Sequence, residues 1–397
     1  MTVPSPLHDL IAAEAKRTPV TAPAADRPGA DSGAAPLLEC EWLPWGPEGK
    51  GGTGIEGGPP LLLATLGAME LEYAALRRGI GRLDAVARGT ICVTGADRLD
   101  FLDRLLTQKL AGISVGTVVE AFLIERTGKL LADLVVVHGK TRTLLDVDVH
   151  QAPIVCFTLE AMCFGEDVQI EDCTSRHHRI EVHGPAAVEV SGAMGFALDA
   201  TGSCTEHGQA VAWRLDRVGA PGVAWCVPTD AAAPTWAAIE QVAVAAGKTC
   251  RTIGWYAFNM ARVEAGEPVA NIDFGTGNLP AETGLLHRRV SFEKGCYPGQ
   301  EVVARMHNLG HPKQVLRRLV LPDTQLPVAG AQVFAGDDPD LAQPRGAVTS
   351  SAPAPLLSQR GVALAMLRWA VAEPGGTVQV MAEGEPIEAA VEEIGAP

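Results

Sequence analysis

The stretch Lys294-Gly295-Cys296-Tyr297-Pro298-Gly299-Gln300-Glu301, running on through Val302-Val303-Ala304-Arg305 to Gly310, sets a thiol, a carboxamide, a carboxylate and a guanidinium within ten residues. Glycines at 295 and 299 admit backbone torsions that other residues avoid, and Pro298 fixes φ beside one of them. One defined loop shape is therefore expected. A cation beside a thiol favours the thiolate, which makes Lys294 a candidate for activating Cys296.

Upstream of this motif, Trp255 to Glu264 reads as a helix that ends before Gly266 and Pro268. A long loop, Asn271 to Gly284, then feeds directly into the motif. Long loops inside compact domains are usually functional or disordered, and the adjacent chemistry favours function. Between 288 and 318 stand seven basic residues (Arg288, Arg289, Lys294, Arg305, Lys313, Arg317, Arg318) and two acidic ones (Glu293, Glu301), a net of +5 in a chain of −15. This strip reads either as a solvated face or as a surface for anions or an acidic partner. Downstream, Val315 to Leu321, Gln332 to Phe334, Arg345 to Ser350, Val362 to Trp369 and Thr377 to Met381 are short β-like runs separated by Gly and Pro. They predict a small barrel and a separate C-terminal domain over 311–397.

At the other end, residues 1–60 hold one candidate helix, Leu7 to Lys16, followed by an Ala, Pro and Gly-rich stretch. The segment has little to bury and is expected to be largely a flexible linker. Order begins near Leu61, and 61–310 reads as two interleaved α+β subdomains. Glu70 to Arg78 is helical, Thr90 to Val93 a strand, and Leu99, Leu102, Leu105, Leu106 and Leu110 give the next helix an apolar side. Val118 to Ile124, Leu130 to His138 and Thr143 to Val149 are three strands whose short turns imply antiparallel neighbours. Asp133 interrupts the middle strand, either on a solvated face or buried for a purpose. From 151 to 250 helices (Ala152 to Met162, a short one after Pro185, Trp236 to Ala246) alternate with strands near Val168 to Cys173, Arg179 to Val182, Val211 to Arg217 and Val223 to Val227. Mixed hairpins and helices indicate an α+β fold. His177-His178 reads as a surface turn rather than a metal site, and no metal is expected.

The 397 residues, 47% of them apolar, are enough for two or three domains with an aliphatic core. The net charge argues against a general nucleic-acid or anionic-membrane binder. No long apolar run or signal-peptide pattern occurs, so a cytoplasmic protein is expected. Nine cysteines without a CxxC pair fit reduced thiols, and all except Cys296 read as small core residues.

The motif resembles the signature of the YgfZ branch of the YgfZ/GcvT family, folate-binding proteins related to the glycine cleavage aminomethyltransferase. The resemblance runs from about Glu70 to Ala372. It takes in Val93-Thr94-Gly95-Ala96-Asp97, Gly128-Lys129-Leu130-Leu131-Ala132-Asp133, Arg262-Val263-Glu264-Ala265-Gly266, Leu279-Pro280-Ala281-Glu282-Thr283-Gly284 and Gly346-Ala347-Val348-Thr349-Ser350. It implies three subdomains around a channel for tetrahydrofolate, a C-terminal barrel, and a role in making or repairing iron-sulfur enzymes, with Cys296 as the critical residue. It also implies that Asp133 is the channel carboxylate and that Arg262, Glu264 and Glu282 help to hold folate. Where the aminomethyltransferases carry Tyr-Thr-Gly-Glu, this chain reads Arg217-Val218-Gly219-Ala220, without the acid.

Three functions follow as expectations. The first is a folate-linked accessory protein for iron-sulfur enzymes or cluster-assembly proteins, working through Cys296 with Lys294, Gly295, Tyr297, Gly299, Gln300, Glu301 and Arg305 in support. The second is a folate-dependent one-carbon transferase using Asp133. The third is a binding module that docks an acidic partner on the basic strip.

Overall fold

A computed structural model describes residues 2–16, 40–46, 58–198, 200–338 and 340–395. The chain begins with α1 (His8–Ala15), β1 (Glu41–Pro44), β2 (Leu61–Thr65), α2 (Met69–Arg78) and β3 (Ile80–Asp84). Next come β4 (Arg88–Thr94), α3 (Arg98–Leu105), β5 (Thr117–Ile124), β6 (Leu130–His138), β7 (Thr143–Asp148), α4 (Ala152–Glu160) and β8 (Gln169–Asp172). The chain continues through β9 (His177–His183), α5 (Ala187–Ala193), β10 (Cys204–His207), β11 (Ala210–Arg214), β12 (Gly222–Pro228), α6 (Ala232–Ala245), β13 (Cys250–Ile253) and α7 (Trp255–Glu264). It ends with α8 (Leu286–Arg289), α9 (Gln300–Leu309), β14 (Gln314–Val320), β15 (Gln332–Ala335), β16 (Gly346–Ala354), β17 (Arg360–Arg368), β18 (Thr377–Ala382) and β19 (Glu385–Glu392).

The expected three-strand meander forms: β5, β6 and β7 are antiparallel neighbours, and β4 and β8 complete a five-stranded sheet in the order β5-β6-β7-β4-β8. Alternation along β4 and β6 sends Ile91, Val93, Leu134 and Val136 to one face, where Phe101, Leu102 and Leu105 of α3 cover them. The opposite face, with Val135, Val137 and Leu144, meets Trp213 and Ala224 of a six-stranded sheet ordered β10-β11-β12-β9-β3-β13. The far side of that second sheet is covered by α5 and α6, with Val190, Trp225 and Trp236 at its centre. The six C-terminal strands close into a barrel, β14-β17-β16-β15-β18-β19. Helix α7 joins the parts, packing Phe258 and Ala261 against Leu76 of α2 and Val362 of the barrel.

The structure departs from the sequence reading in several places. Leu7, Ile11 and Ala15, four residues apart, form one apolar stripe of α1 and are almost fully buried against Trp236, while β1 pairs with β2. The described parts of 1–60 are therefore packed into the fold, and the stretches 17–39 and 47–57 lie outside the described residues. His177 and His178 lie on strand β9 rather than on a surface turn, because β9 runs beside β3; His178 Nε2 is 2.7 Å from Asp84 Oδ1. Strands β3 and β13 were not anticipated: Arg82 and Asp84 are buried charges that break the apolar pattern, and β13 is four residues long. The barrel has a sixth strand, β19, whose glutamates conceal the alternation that buries Ala389 and Val391.

Candidate functional site

Asp133 stands on β6 opposite Phe122 of β5, with its side chain 11% exposed. It is thus largely covered rather than on a solvated face. Arg289, the last residue of α8, holds both carboxylate oxygens: Nε lies 2.7 Å from Oδ1 and Nη2 donates to Oδ2 at 3.2 Å. The same guanidinium reaches Glu120 Oε2 at 2.6 Å. Arg288 bridges Glu120 and Glu267, at 3.1 and 2.7 Å. Burial alone would push the Glu120 carboxyl upward, but the guanidiniums of Arg289, Arg288 and Arg217 hold it below the usual carboxylate range. Burial wins at Glu267, whose carboxyl is raised.

These groups line a crevice of about 20 Å³, room for a single water, together with Arg88, Arg217 and Arg262. A second cavity of about 40 Å³ continues past Arg88 and Arg217 to Trp45, Asp148 and Glu181. On the other side, Glu267 also borders a cavity of about 540 Å³ lined by Arg77, Asp216, Gly219, Glu264 and Arg318. The Arg217-Val218-Gly219-Ala220 segment therefore passes along this tract. Asp216, just before it, is held by Arg214 Nη2 and the Gly222 N–H, both at 2.9 Å.

Of the residues that the resemblance assigns to folate, Arg262 shares the crevice with Asp133. Its guanidinium is fully buried and ion-paired to Asp273 of the long loop, which also accepts from Thr349 and Ser350 of β16 at 2.7 and 2.6 Å. Arg262 thereby ties helix, loop and barrel together, yet its Nη2 has no partner. Glu264 accepts from Tyr73, Arg77 and the Leu356 N–H, so its carboxylate is a structural junction on the wall of the large cavity. Glu282 accepts from Asn278 Nδ2 and the Leu279 N–H, at 2.9 and 3.2 Å, and braces the loop from within.

Sequence reasoning missed the acidic floor. Asp146 and Asp148 alternate with Leu145 and Val147 along β7, a period-two pattern that marks a second, polar interior face. Arg88 donates to Asp146 at 3.0 and 3.2 Å, and Arg179 lies between Asp146 and Glu181. His183 Nε2 is 2.9 Å from Glu181 Oε2. Trp45, from the segment expected to be linker, donates from Nε1 to Asp148 Oδ2 at 3.1 Å and rests edge-on against Trp255.

The motif occupies a different place. Gly299 has φ +80°, and a Cβ there would sit 2.4 Å from the Glu125 carbonyl oxygen. Gly128, in the β5–β6 turn with φ +82°, faces Val302 almost as closely. The two glycines let the hairpin and the start of α9 touch, which fixes the loop as expected. Gly295 has open space where a Cβ would go and no left-handed backbone, so the expected need for glycine fails there. The buried ammonium of Lys294 donates to the Asp103, Leu106 and Gln108 carbonyls, closing the C-terminus of α3. Tyr297 is buried with Phe274 and Val303, and burial pushes its hydroxyl up to about 12. Cys296, Glu301 and Arg305 are exposed, and Gln300 is half-buried.

The basic strip is not one surface. Arg289 lines the crevice, Lys294 caps α3, Arg317 donates to the Ala372 carbonyl at 2.8 Å, and Arg318 pairs with Glu392 at 3.1 Å. Of the seven, Arg288, Arg305 and Lys313 are exposed, and Arg288 is already neutralised by Glu120 and Glu267. Among the described residues no helix is long and apolar enough to cross a membrane, and no three His, Cys, Asp or Glu side chains converge on a metal position.

A pH dependence follows from Glu120. Its folded pKa lies below the unfolded value of about 4.3, so its contribution is present above that value and is lost as pH falls through the folded pKa. Glu267 acts in the opposite sense. Thermal midpoints of Glu120→Gln and the parent, taken from pH 6 to pH 3, are expected to converge at the acid end; a constant gap would remove Glu120 from the balance.

Comparison with known proteins accords with this architecture. The sequence model described as the GCVT N-terminal domain matches residues 65–294, and that of the glycine cleavage T-protein C-terminal barrel domain matches 314–393. The aminomethyltransferase of Corynebacterium jeikeium is 27% identical over 346 residues, 80% of this chain and 87% of that protein. That of Streptomyces coelicolor is 27% identical over 336 residues, covering 81% and 88%. The crystal structure of glycine cleavage system aminomethyltransferase T from Bartonella henselae superposes with a TM-score of 0.79 at 19% identity, covering 100% of this chain and 98% of that one, which shows the same fold. With the N-terminal domain alone matching more than half of the sequence, the chain belongs to the glycine cleavage T-protein family.

Proposed function

We propose that the chain binds a tetrahydrofolate-type ligand along the Asp133 tract and serves iron-sulfur enzymes through Cys296. The single observation that carries this reading is the mounting of Cys296. An exposed thiol sits on a loop held by the Gly299–Gly128 contact, by buried Tyr297 and by the ammonium of Lys294. A segment so anchored presents its thiol outward to another molecule.

The tract fits a folate-sized ligand in two respects. The 540 Å³ cavity lies within the range of small-molecule sites, and it adjoins a crevice where Arg262 Nη2 is buried without a partner. Arg262 and Arg217 would offer donors to ring carbonyl or nitrogen acceptors, and Asp133 would accept from ring N–H groups once Arg289 moves aside. Such a ligand, when bound, supplies one-carbon or redox chemistry; the chain's own residues bind and orient it. A single thiol cannot hold a cluster, which generally needs four protein ligands, so a partner must bring the rest.

Titration of tetrahydrofolate into the purified protein is expected to show saturable binding that Asp133→Ala weakens at least tenfold. Cys296→Ala is expected to keep that binding and to fail in restoring iron-sulfur enzyme activity to a deletion strain. Full restoration would remove the role of the thiol, and absent or unaltered folate binding would remove that of the tract.

One observation favours the second reading, a one-carbon transferase: Asp133 does face the enclosed crevice. Against it, both carboxylate oxygens are held by Arg289, so a substrate amine must displace a guanidinium. Formation of methylene-tetrahydrofolate from a methylamine-type donor would establish this reading, and no product under saturating ligand would end it.

A further inference from the structure

Cys92 lies on β4 opposite Glu171 of β8, and the next step of the same ladder brings the Cys173 N–H to the Thr90 carbonyl at 2.8 Å. Residues two apart on a strand share a face, so Thr90, Cys92, Glu171 and Cys173 all project from one side of the sheet. The two thiols stand diagonally across the strand pair.

Their surroundings differ. Arg176 Nη2 donates to Cys173 Sγ at 3.1 Å, Glu171 Oε2 lies 3.8 Å from the same sulfur, and His177 sits beside them with Nδ1 3.4 Å from the Cys173 carbonyl oxygen and a buried Nε2 that lacks a hydrogen-bond partner. The neighbouring Cys92 thiol, then His177 and Arg176, outweigh burial and the Glu171 carboxylate and hold the Cys173 thiol below the usual thiol range, while Cys92 is pushed up. Other buried thiols go the other way: burial raises Cys204 to about 12 and, despite the Thr90 hydroxyl beside it, Cys226 to about 11. Cys173 is buried and Cys92 half-buried, beneath a solvent-facing ion pair. Arg176 and Glu171, joined at 2.6 Å above Cys173, are 56% and 60% exposed. Strand β8 is a four-residue strand at the edge of its sheet.

We propose that Cys173 and Cys92 form a reversible oxidation site that takes a hydroperoxide as its oxidant. The Cys173 thiolate attacks the near peroxide oxygen; the S–O bond forms, the O–O bond breaks, and the leaving alkoxide or hydroxide takes up a proton. The sulfur of Cys92 then attacks the resulting sulfenic acid, forming the S–S bond and releasing water. Two thiols and one hydroperoxide thus give one disulfide, one alcohol or water, and one further water. A dithiol reductant returns the pair by exchange. The roles are unequal: a stabilised thiolate is the better nucleophile and a neutral neighbour the natural resolving group.

The test uses the full chain with the exposed thiol removed by Cys296→Ser, treated with hydrogen peroxide and mapped by mass spectrometry. The expected result is a loss of two hydrogens, a cross-linked peptide joining the segments of Cys92 and Cys173, recovery with dithiothreitol, and modification at least tenfold faster than at Cys204. In Cys92→Ser the sulfenic acid should persist and be trapped by dimedone at Cys173; in Cys173→Ser, Cys92 should react no faster than Cys204. Free thiols at both positions, or equal rates at Cys173 and Cys204, would overturn the proposal. Should either serine variant fold poorly, the cross-link and the relative rates measured with both thiols in place decide between the same outcomes.

Discussion

Asp273→Ala is expected to destabilise the protein by about 3–5 kcal/mol, the cost of leaving one member of a buried ion pair alone. The side chains of Arg262 and Asp273 are both fully buried, so no water replaces the lost carboxylate. The same carboxylate accepts from the Val269 N–H at 2.8 Å and from the Thr349 and Ser350 hydroxyls, so its removal also unpairs groups on the long loop and on the barrel. Asp273→Asn keeps an acceptor for the hydroxyls and should lose less. Denaturant unfolding followed by tryptophan fluorescence measures the difference, since Trp213, Trp225 and Trp236 lie in the second sheet and on α6. A loss below about 1 kcal/mol would mean that this ion pair does not hold the barrel to the core.

Gly299→Ala is expected to cost about 2–4 kcal/mol and to abolish rescue by the motif thiol while leaving that thiol chemically intact. A left-handed non-glycine residue costs about 1–2 kcal/mol, and overpacking adds about as much again. Here the added methyl meets the Glu125 carbonyl at 2.4 Å, backbone that belongs to the β5–β6 hairpin and has little room to yield. Gly295→Ala is the control, because a Cβ at that position meets nothing within 4 Å. Thermal midpoints and complementation of a deletion strain should separate the two variants clearly. Indistinguishable behaviour would show that the loop shape does not matter to the function.

The fold is legible in the sequence wherever one face of an element is apolar. The β5–β6–β7 meander, α7 and most of the barrel follow from period-two and period-3.6 patterns that burial makes obligatory. Legibility fails where charges are buried. Arg82 and Asp84 hide β3, and Asp146 and Asp148 hide the polar interior face, because a charge reads as solvent-facing until its partner is known. Those partners, Glu14 and Glu240 for Arg82, His178 for Asp84, and Arg88 and Arg179 for Asp146, come from elements distant in sequence. The motif is visible as chemistry, and the role of Gly299 follows from its type. The use of Lys294 does not, since the carbonyls that it caps lie some 190 residues away. Asp133 stands out as a carboxylate inside an apolar strand, but Arg289, which closes on it, reads in sequence as one member of a basic strip.

The placement of β3 bears on how this chain is made. Ile80 pairs in parallel with Cys250, and Gly81 pairs with His183 on the other side. Between them the ribosome delivers an entire sheet, 88–172, whose strands all find partners among themselves. At about 5–20 residues per second, β3 waits on the order of ten to thirty seconds for its second neighbour. Until β9 emerges, a strand destined to be buried along its whole length has nothing to pair with. The time for which β3 stands without a neighbour is therefore set by the tempo of translation through 85–183, while the self-sufficient sheet is being made, and its second edge stays open until 250–253 has followed.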